Sequence, residues 1–189
     1  AGTQSPLWAS LAAVPAGVLV GGACGLTNGL VITRLRLSPF VATLGMLSIA
    51  RGLAIWLSGR TRVSFALGTR PGWVESLSRT GHPWLFFDPG VWTVFALAAA
   101  VFVLLRFTVF GRYVYAIGSN EATARLCGVP VGRDKTWVYV IAGLLTALGG
   151  VLLFAHGNGG DPDAGKMLEL EVIAAVVIGG ASLSGGQGG

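Results

Sequence analysis

From Pro6 to Thr33 the chain runs 28 residues without a charged side chain. No other feature narrows its fold as much. Roughly 20 apolar residues in helical conformation cross a hydrocarbon core about 30 Å thick, so this run is a spanning helix with length to spare, kinked or started at Pro15. Composition extends the conclusion to all 189 residues, which are 53% hydrophobic and 11% charged, where soluble domains carry about a quarter charged residues. The chain reads as an integral membrane protein. Its 30 glycines agree, because small residues let membrane helices approach closely.

Three further spans follow, at Ser38 to Ser58, Gly90 to Leu105 and Thr136 to Ala155. The first of these is interrupted only by Arg51. Between them, residues 59 to 89 read as an interfacial loop in which Trp73 and Trp84 fit the aromatic belt at headgroup depth. Residues 157 to 171 are polar and carry four acids. Val172 to Ala181 is again apolar but only ten residues long and interrupted by glycines. Ten residues cannot cross as a straight helix, so the expectation is a broken or re-entrant one. The fold class is therefore all-α, a polytopic transmembrane helical bundle with a broken or re-entrant helix near the C-terminal end. With Ala1 as the first residue, no basic leader and SLSGGQGG at the end, both ends look cut, so residues 1–189 are read as one transmembrane domain truncated at both ends.

The stretch from Gly111 to Lys135, GRYVYAIGSNEATARLCGVPVGRDK, is too polar for a lipid core. It predicts a short helix from Asn120 to Cys127, with Ser119 as N-cap, Glu121 at the positive end of the dipole and four residues before Arg125, and Gly128 with Pro130 as the stop. So short a helix needs a neighbour to hold it. Its Ala122, Leu126 and Val129, with Arg125 beside them, suit docking on a partner protein. Placing Arg34, Arg36, Arg106, Arg112, Arg125, Arg133 and Lys135 on one side collects seven of the 13 basic residues, against five on the other and Arg51 within a span. The positive-inside rule then puts residues 111–135 in the cytoplasm and the 59–89 and 157–171 loops outside.

Several chemistries are excluded. The formal charge of +5 is spread over loops without aromatic interleaving, which argues against nucleic acid. Cys24 and Cys127 imply neither a disulfide framework nor a metal site, and no catalytic constellation, metal site or cofactor motif stands out. GDPDAGKM at 160–167 is one residue short of a phosphate loop, ends in Met167 where a hydroxyl is needed, and carries two aspartates that would repel phosphate. Asp161 and Asp163 fit a solvated turn around Pro162. LSGGQ at 183–187 matches the signature of ABC-type ATPase domains, but it follows a membrane-grade run with no working phosphate loop upstream, so coincidence in a glycine-rich segment is the better reading. Asn28, Thr43 and Ser48 are polar groups within spans, and Arg51 is a charge within one. As pathway residues they would meet a polar substrate. The alternatives are bonding to backbone or a neighbouring helix, and for Arg51 a stem reaching the outer interface.

GLTNGLVITRLRLSPFVATLGMLSIARGLA (25–54), FGRYVYAIGSNEATARLCGVPVGR (110–133) and GDPDAGKMLELEVIAAVVIGGASLSGGQGG (160–189) together resemble the permease subunits of ribose-type ABC importers, which carry monosaccharides. The resemblance implies that 111–135 is the cytoplasmic coupling loop. It resembles the permease pattern E-A-A-x-x-x-G, with Gly128 as the glycine and Ala124 as the last alanine. The pattern's glutamate falls on Ala122, and Glu121 stands one residue early. Glu121, Ala124, Arg125, Leu126 and Gly128 are thereby the expected ATPase-coupling residues. The family's GG-x-S-L-x-GG-x-G motif matches 179–188, which explains LSGGQ without an ATP site. Family permeases have about ten spans, so the chain is expected to be a fragment. The resemblance also implies two permease copies, identical or paralogous, a partner ABC ATPase and an external sugar-binding protein, in the bacterial inner membrane. The alternatives are a secondary transporter with its substrate at the broken helix, and an ATPase domain justified by LSGGQ.

Overall fold

The computed structural model describes residues 7–64, 89–157 and 159–180. α1 (Leu7–Leu35) is one helix of 29 residues with Pro15 inside it. Its hydroxyls are satisfied one turn back, Thr27 donating to Ala23 O at 2.8 Å and Thr33 to Gly29 O at 2.7 Å, which removes their need for water at membrane depth. A tight turn with Arg36 at φ 53° leads into α2 (Pro39–Ser58). Pro39 suits the first helical turn because its missing N–H would have no partner there, and Gly59 at φ 58° closes the other end in the left-handed conformation.

β1 (Val63–Ser64) pairs antiparallel with β2 (Gly159–Gly160), Val63 opposite Gly160. Arg62 Nη2 also donates to Gly157 O at 2.6 Å. The all-α expectation contains no strand, and this two-residue ladder is an addition to it. It forms because the chain after α2 returns to residues 159–160, a long-range pairing with no local signal. The rest of the 59–89 loop, with Trp73 and Trp84, and the LSGGQ letters lie outside the described residues.

α3 (Pro89–Phe107) turns at Thr108 into α4 (Val109–Ser119). Thr108 Oγ1 makes the corner, accepting from Gly111 N at 3.2 Å and donating to Leu104 O at 2.6 Å. α5 (Glu121–Leu126) and α6 (Val131–Gly157) follow. α6 begins five residues before the predicted Thr136, and α4 takes up much of what read as a polar loop. α7 (Leu168–Ile178) starts at Leu168 rather than Val172, after Met167 at φ 69°, which brings Glu169 and Glu171 into its first turn at the positive end of the dipole. Its 11 residues reach about half of a hydrocarbon core before Gly179 and Gly180 end it.

Four helices among the described residues are long and apolar enough to cross a membrane: α1 from Ala13, α2, α3 and α6. The burial pattern is that of a lipid-facing bundle. Among the described residues the fully buried hydrophobic side chains are Ile32, Ala124, Val131 and Ala155, while Trp56, Phe95, Phe102 and Phe107 are bare. In water such a surface would aggregate. The chain is an all-α, multi-pass membrane protein.

The tightest contact is the antiparallel seam of α1 on α6. Gly21, Gly25 and Gly29, four residues apart, line one edge of α1 and meet Ala147, Gly143, Tyr139 and Thr136 in reverse order. A Cβ on Gly25 would collide with Tyr139 O, and one on Gly29 would come within 2.9 Å of Thr136 Cα. Glycine is therefore required by the approach of the two backbones. At the basic end of the seam the hydroxyls of Thr33 and Thr136 lie 3.3 Å apart.

Candidate functional site

α5 is six residues long and closed at both ends. The N-cap is Asn120, whose Oδ1 accepts from Thr123 N at 3.0 Å, rather than the predicted Ser119, which is the last residue of α4. Asn120 adopts the extended backbone that an N-cap requires, with φ −157° and ψ 104°, whereas Ser119 is held helical by the preceding turn. At the other end Gly128 N bonds Arg125 O and Val129 N bonds Ala124 O, both at 3.1 Å, with Gly128 at φ 80°. This is a Schellman closure, and its left-handed position favours glycine.

Of the side chains expected to act here, Ala124 is buried and turned inward, Arg125 and Ala122 are exposed, Val129 is half-buried and Leu126 is 89% exposed. Glu121 joins the helix to the bundle. Its Oε1 accepts from Arg125 Nη2 at 2.7 Å and its Oε2 pairs with Lys135 Nζ on α6. Lys135 first, and then Arg125, hold the Glu121 carboxyl below the usual carboxylate range. A carboxyl whose folded pKa lies below its unfolded one stabilises above the unfolded value, about pH 4.3, and that contribution fades as pH falls through the folded value. Glu121→Gln at neutral pH removes the same charge. Amide exchange across 122–127 in the full-length protein is expected to rise about two- to fivefold, the worth of exposed ion pairs. Unchanged exchange would mean that the caps alone hold α5.

The second candidate region is a groove of about 740 Å³ running along α1, α2 and α6. Asn28, Thr43 and Arg51 line it together, as a pathway would require, but Ser48 does not. Ser48 is exposed on α2 and its hydroxyl donates to Leu44 O at 3.0 Å; Thr43 Oγ1 likewise reaches Pro39 O at 2.9 Å. Asn28 and Arg51 have no hydrogen-bond or ion-pair partner among the described residues, which leaves their polar groups available to the groove. Tyr139, Thr146 and Asp161 also line it and were not singled out as pathway residues from sequence. A signal existed for two of them, since Tyr139, Gly143 and Thr146 recur at helical spacing on one face of an apolar run.

The segment before α7 closes on its own charges. Asp161 Oδ1 accepts from Asp163 N at 2.9 Å, and Lys166 Nζ pairs with Asp163 Oδ1 at 2.7 Å. A lysine held this way by an aspartate is not presented to phosphate. Asp134, which drew no attention as part of a polar stretch, is 3% exposed at the start of α6, with Oδ1 3.4 Å from Arg133 Nε. No group of metal-ligating side chains forms among the described residues.

Comparison with known proteins follows the same outline. The family model described as branched-chain amino acid transport system / permease component matches residues 1–186. Ribose import permease protein RbsC of Bacillus subtilis (strain 168) is 41% identical over 161 residues, covering 85% of this chain and 49% of its own length. RbsC of Escherichia coli (strain K12) is 36% identical over 182 residues, covering 95% and 55%. The L-arabinose ABC transporter permease protein AraH of Azospirillum brasilense is 39% identical over 179 residues, covering 92% and 49%. The chain spans about half the length of the curated relatives it matches. No solved structure matches it.

Proposed function

Since the chain belongs to the family of branched-chain amino acid transport system / permease components, we propose that it is part of the membrane-spanning subunit of an ATP-driven ABC importer for a monosaccharide. The sugar class rests on relatives named for ribose and L-arabinose. The observation that carries the coupling role is α5 itself: a short helix capped at both ends, tied to α6 through Glu121 and Lys135, with Leu126 bare beside Arg125. An exposed leucine and arginine on a rigid short helix at a membrane surface are what a soluble partner would grip. In this reading residues 111–135 form the cytoplasmic coupling loop of a single permease domain, and a partner ATPase docks on α5. Its nucleotide-driven closure moves α5, and two permease copies rock between outward and inward openings. An external sugar-binding protein delivers the cargo. The groove lined by Asn28, Thr43 and Arg51 supplies hydrogen-bond donors and acceptors of the kind sugar hydroxyls use. No bond chemistry is asked of this subunit.

Cys127 offers the direct test, being exposed and next to α5. In the full-length permease with its other accessible cysteines replaced, a membrane-impermeant maleimide is expected to label Cys127 from the cytoplasmic side alone, and the partner ATPase to protect it. Labelling from outside would invert the topology. Cytoplasmic labelling without protection would remove the docking role and favour a secondary transporter.

A further inference from the structure

α1 ends at Leu35, α2 begins at Pro39 and α6 begins at Val131, so three spans leave the hydrocarbon at one end of the bundle. Between their ends and α5 lies a cavity of about 480 Å³. Arg36, Arg125 and Lys135 line it, with Glu121 as its one acid. Both oxygens of Glu121 are already engaged, by Arg125 and by Lys135. Arg36 has no ion-pair or hydrogen-bond partner among the described residues. Three cations facing one carboxylate leave two positive charges uncompensated in a concave space, where walls of low dielectric focus the field. Arg36 is also held at φ 53°, a conformation that non-glycine residues seldom take and that recurs at ligand sites.

We infer that this cavity binds the phosphate headgroup of an anionic phospholipid, with Arg36 as its principal ligand. A guanidinium offers a phosphodiester two parallel hydrogen bonds. The apolar surroundings select a lipid over free phosphate or an acidic protein segment. Leu37 and Pro39 line the cavity, and Phe40 and Val41, next on α2, are 68% and 63% exposed along the span, a surface for acyl chains at hydrocarbon depth. Basic pockets between spans at a membrane surface are suited to such headgroups. The bound lipid would bridge the α1–α2 turn and α5, so the charge of the leaflet acts on the position of α5. The inference rests on α1, α2 and α6 spanning the membrane and is independent of sugar transport.

The test uses the full-length permease in nanodiscs of equal parts phosphatidylglycerol and phosphatidylcholine, with retained lipid counted by native mass spectrometry after detergent extraction. Wild type is expected to retain phosphatidylglycerol preferentially. Arg36→Gln should lower that preference about fivefold, the effect of one cation at a membrane surface, while Arg36→Lys, which keeps the charge but not the paired hydrogen bonds, should lower it less. Arg34→Gln, two residues away on α1 but outside the cavity lining, should leave it unchanged. Equal retention of the two lipids by wild type would overturn the inference. So would an equal loss in Arg34→Gln, which would indicate a diffuse basic surface, or displacement of the lipid by inorganic phosphate, which would indicate a site for the free ion. None of these readouts depends on sugar uptake, so failure of the transport reading would leave them unaffected.

Discussion

Leucine at Gly25 is expected to prevent the full-length permease from being recovered folded. At that position a Cβ would collide with Tyr139 O and stand 3.1 Å from Val140 Cα, so the obstacle is backbone on the facing helix rather than a side chain that can rotate away. Relief requires α1 and α6 to separate, which strips the seam of its contacts from Gly21 to Gly29. Overpacking a close-packed site costs about 1–3 kcal/mol, and a clash with immobile backbone belongs at or beyond the top of that range. Against a total stability of about 5–15 kcal/mol, that is enough to collapse the yield of monodisperse protein. Size-exclusion profile and thermal melting in detergent are the measurements. Gly45→Leu on α2 is the control, because nothing lies within 4 Å of its added Cβ. A Gly25→Leu variant that melted like wild type would show that the α1–α6 seam is not the main contact of the bundle.

Glutamate at Leu126 is expected to leave the permease folded and abolish its function. The side chain is 89% exposed and holds nothing in the bundle, so melting should be unchanged. At the docking surface proposed for α5, however, burying a new carboxylate in place of an apolar anchor costs about 2 kcal/mol or more, about thirtyfold in affinity. On the proposed function, co-purification of the partner ATPase and ATP-dependent uptake of the cargo should fall together by that order. The contrast with Gly25→Leu is informative, since one variant loses the molecule and the other loses only its coupling. Wild-type ATPase association and uptake in Leu126→Glu would sink the role assigned to α5, whatever the fate of the spans.

The four spans were legible because hydrophobic length is a local property. Pro6 to Thr33 could only be a helix in lipid, and α1 is one. The existence and closing glycine of α5 were legible for a similar reason, since Gly128 is one of the few residues that adopt φ 80° without strain. Its N-cap was misplaced by one residue because Ser119 and Asn120 are both good caps, and the choice fell to where α4 ends. The early start of α6 was missed because Gly132, Arg133, Asp134 and Lys135 read as loop. Asp134 suits that first turn because the helix dipole favours a carboxylate there, a property not visible in a list of polar letters.

The groove shows the same division. Asn28, Thr43 and Arg51 were chosen as polar exceptions in apolar runs, and tertiary structure brought them to one surface. Ser48 was an equal exception that faces away, because five residues on a helix place it well around the axis from Thr43. Sequence alone determined that this chain is a bundle of membrane helices with a polar, capped interruption, since lipid leaves the backbone so few alternatives. Only the tertiary structure decided which glycines are structural, which polar residues share a groove and which cations face the cavity beside α5. Those outcomes depend on how helices far apart in sequence come into register, which no local pattern encodes.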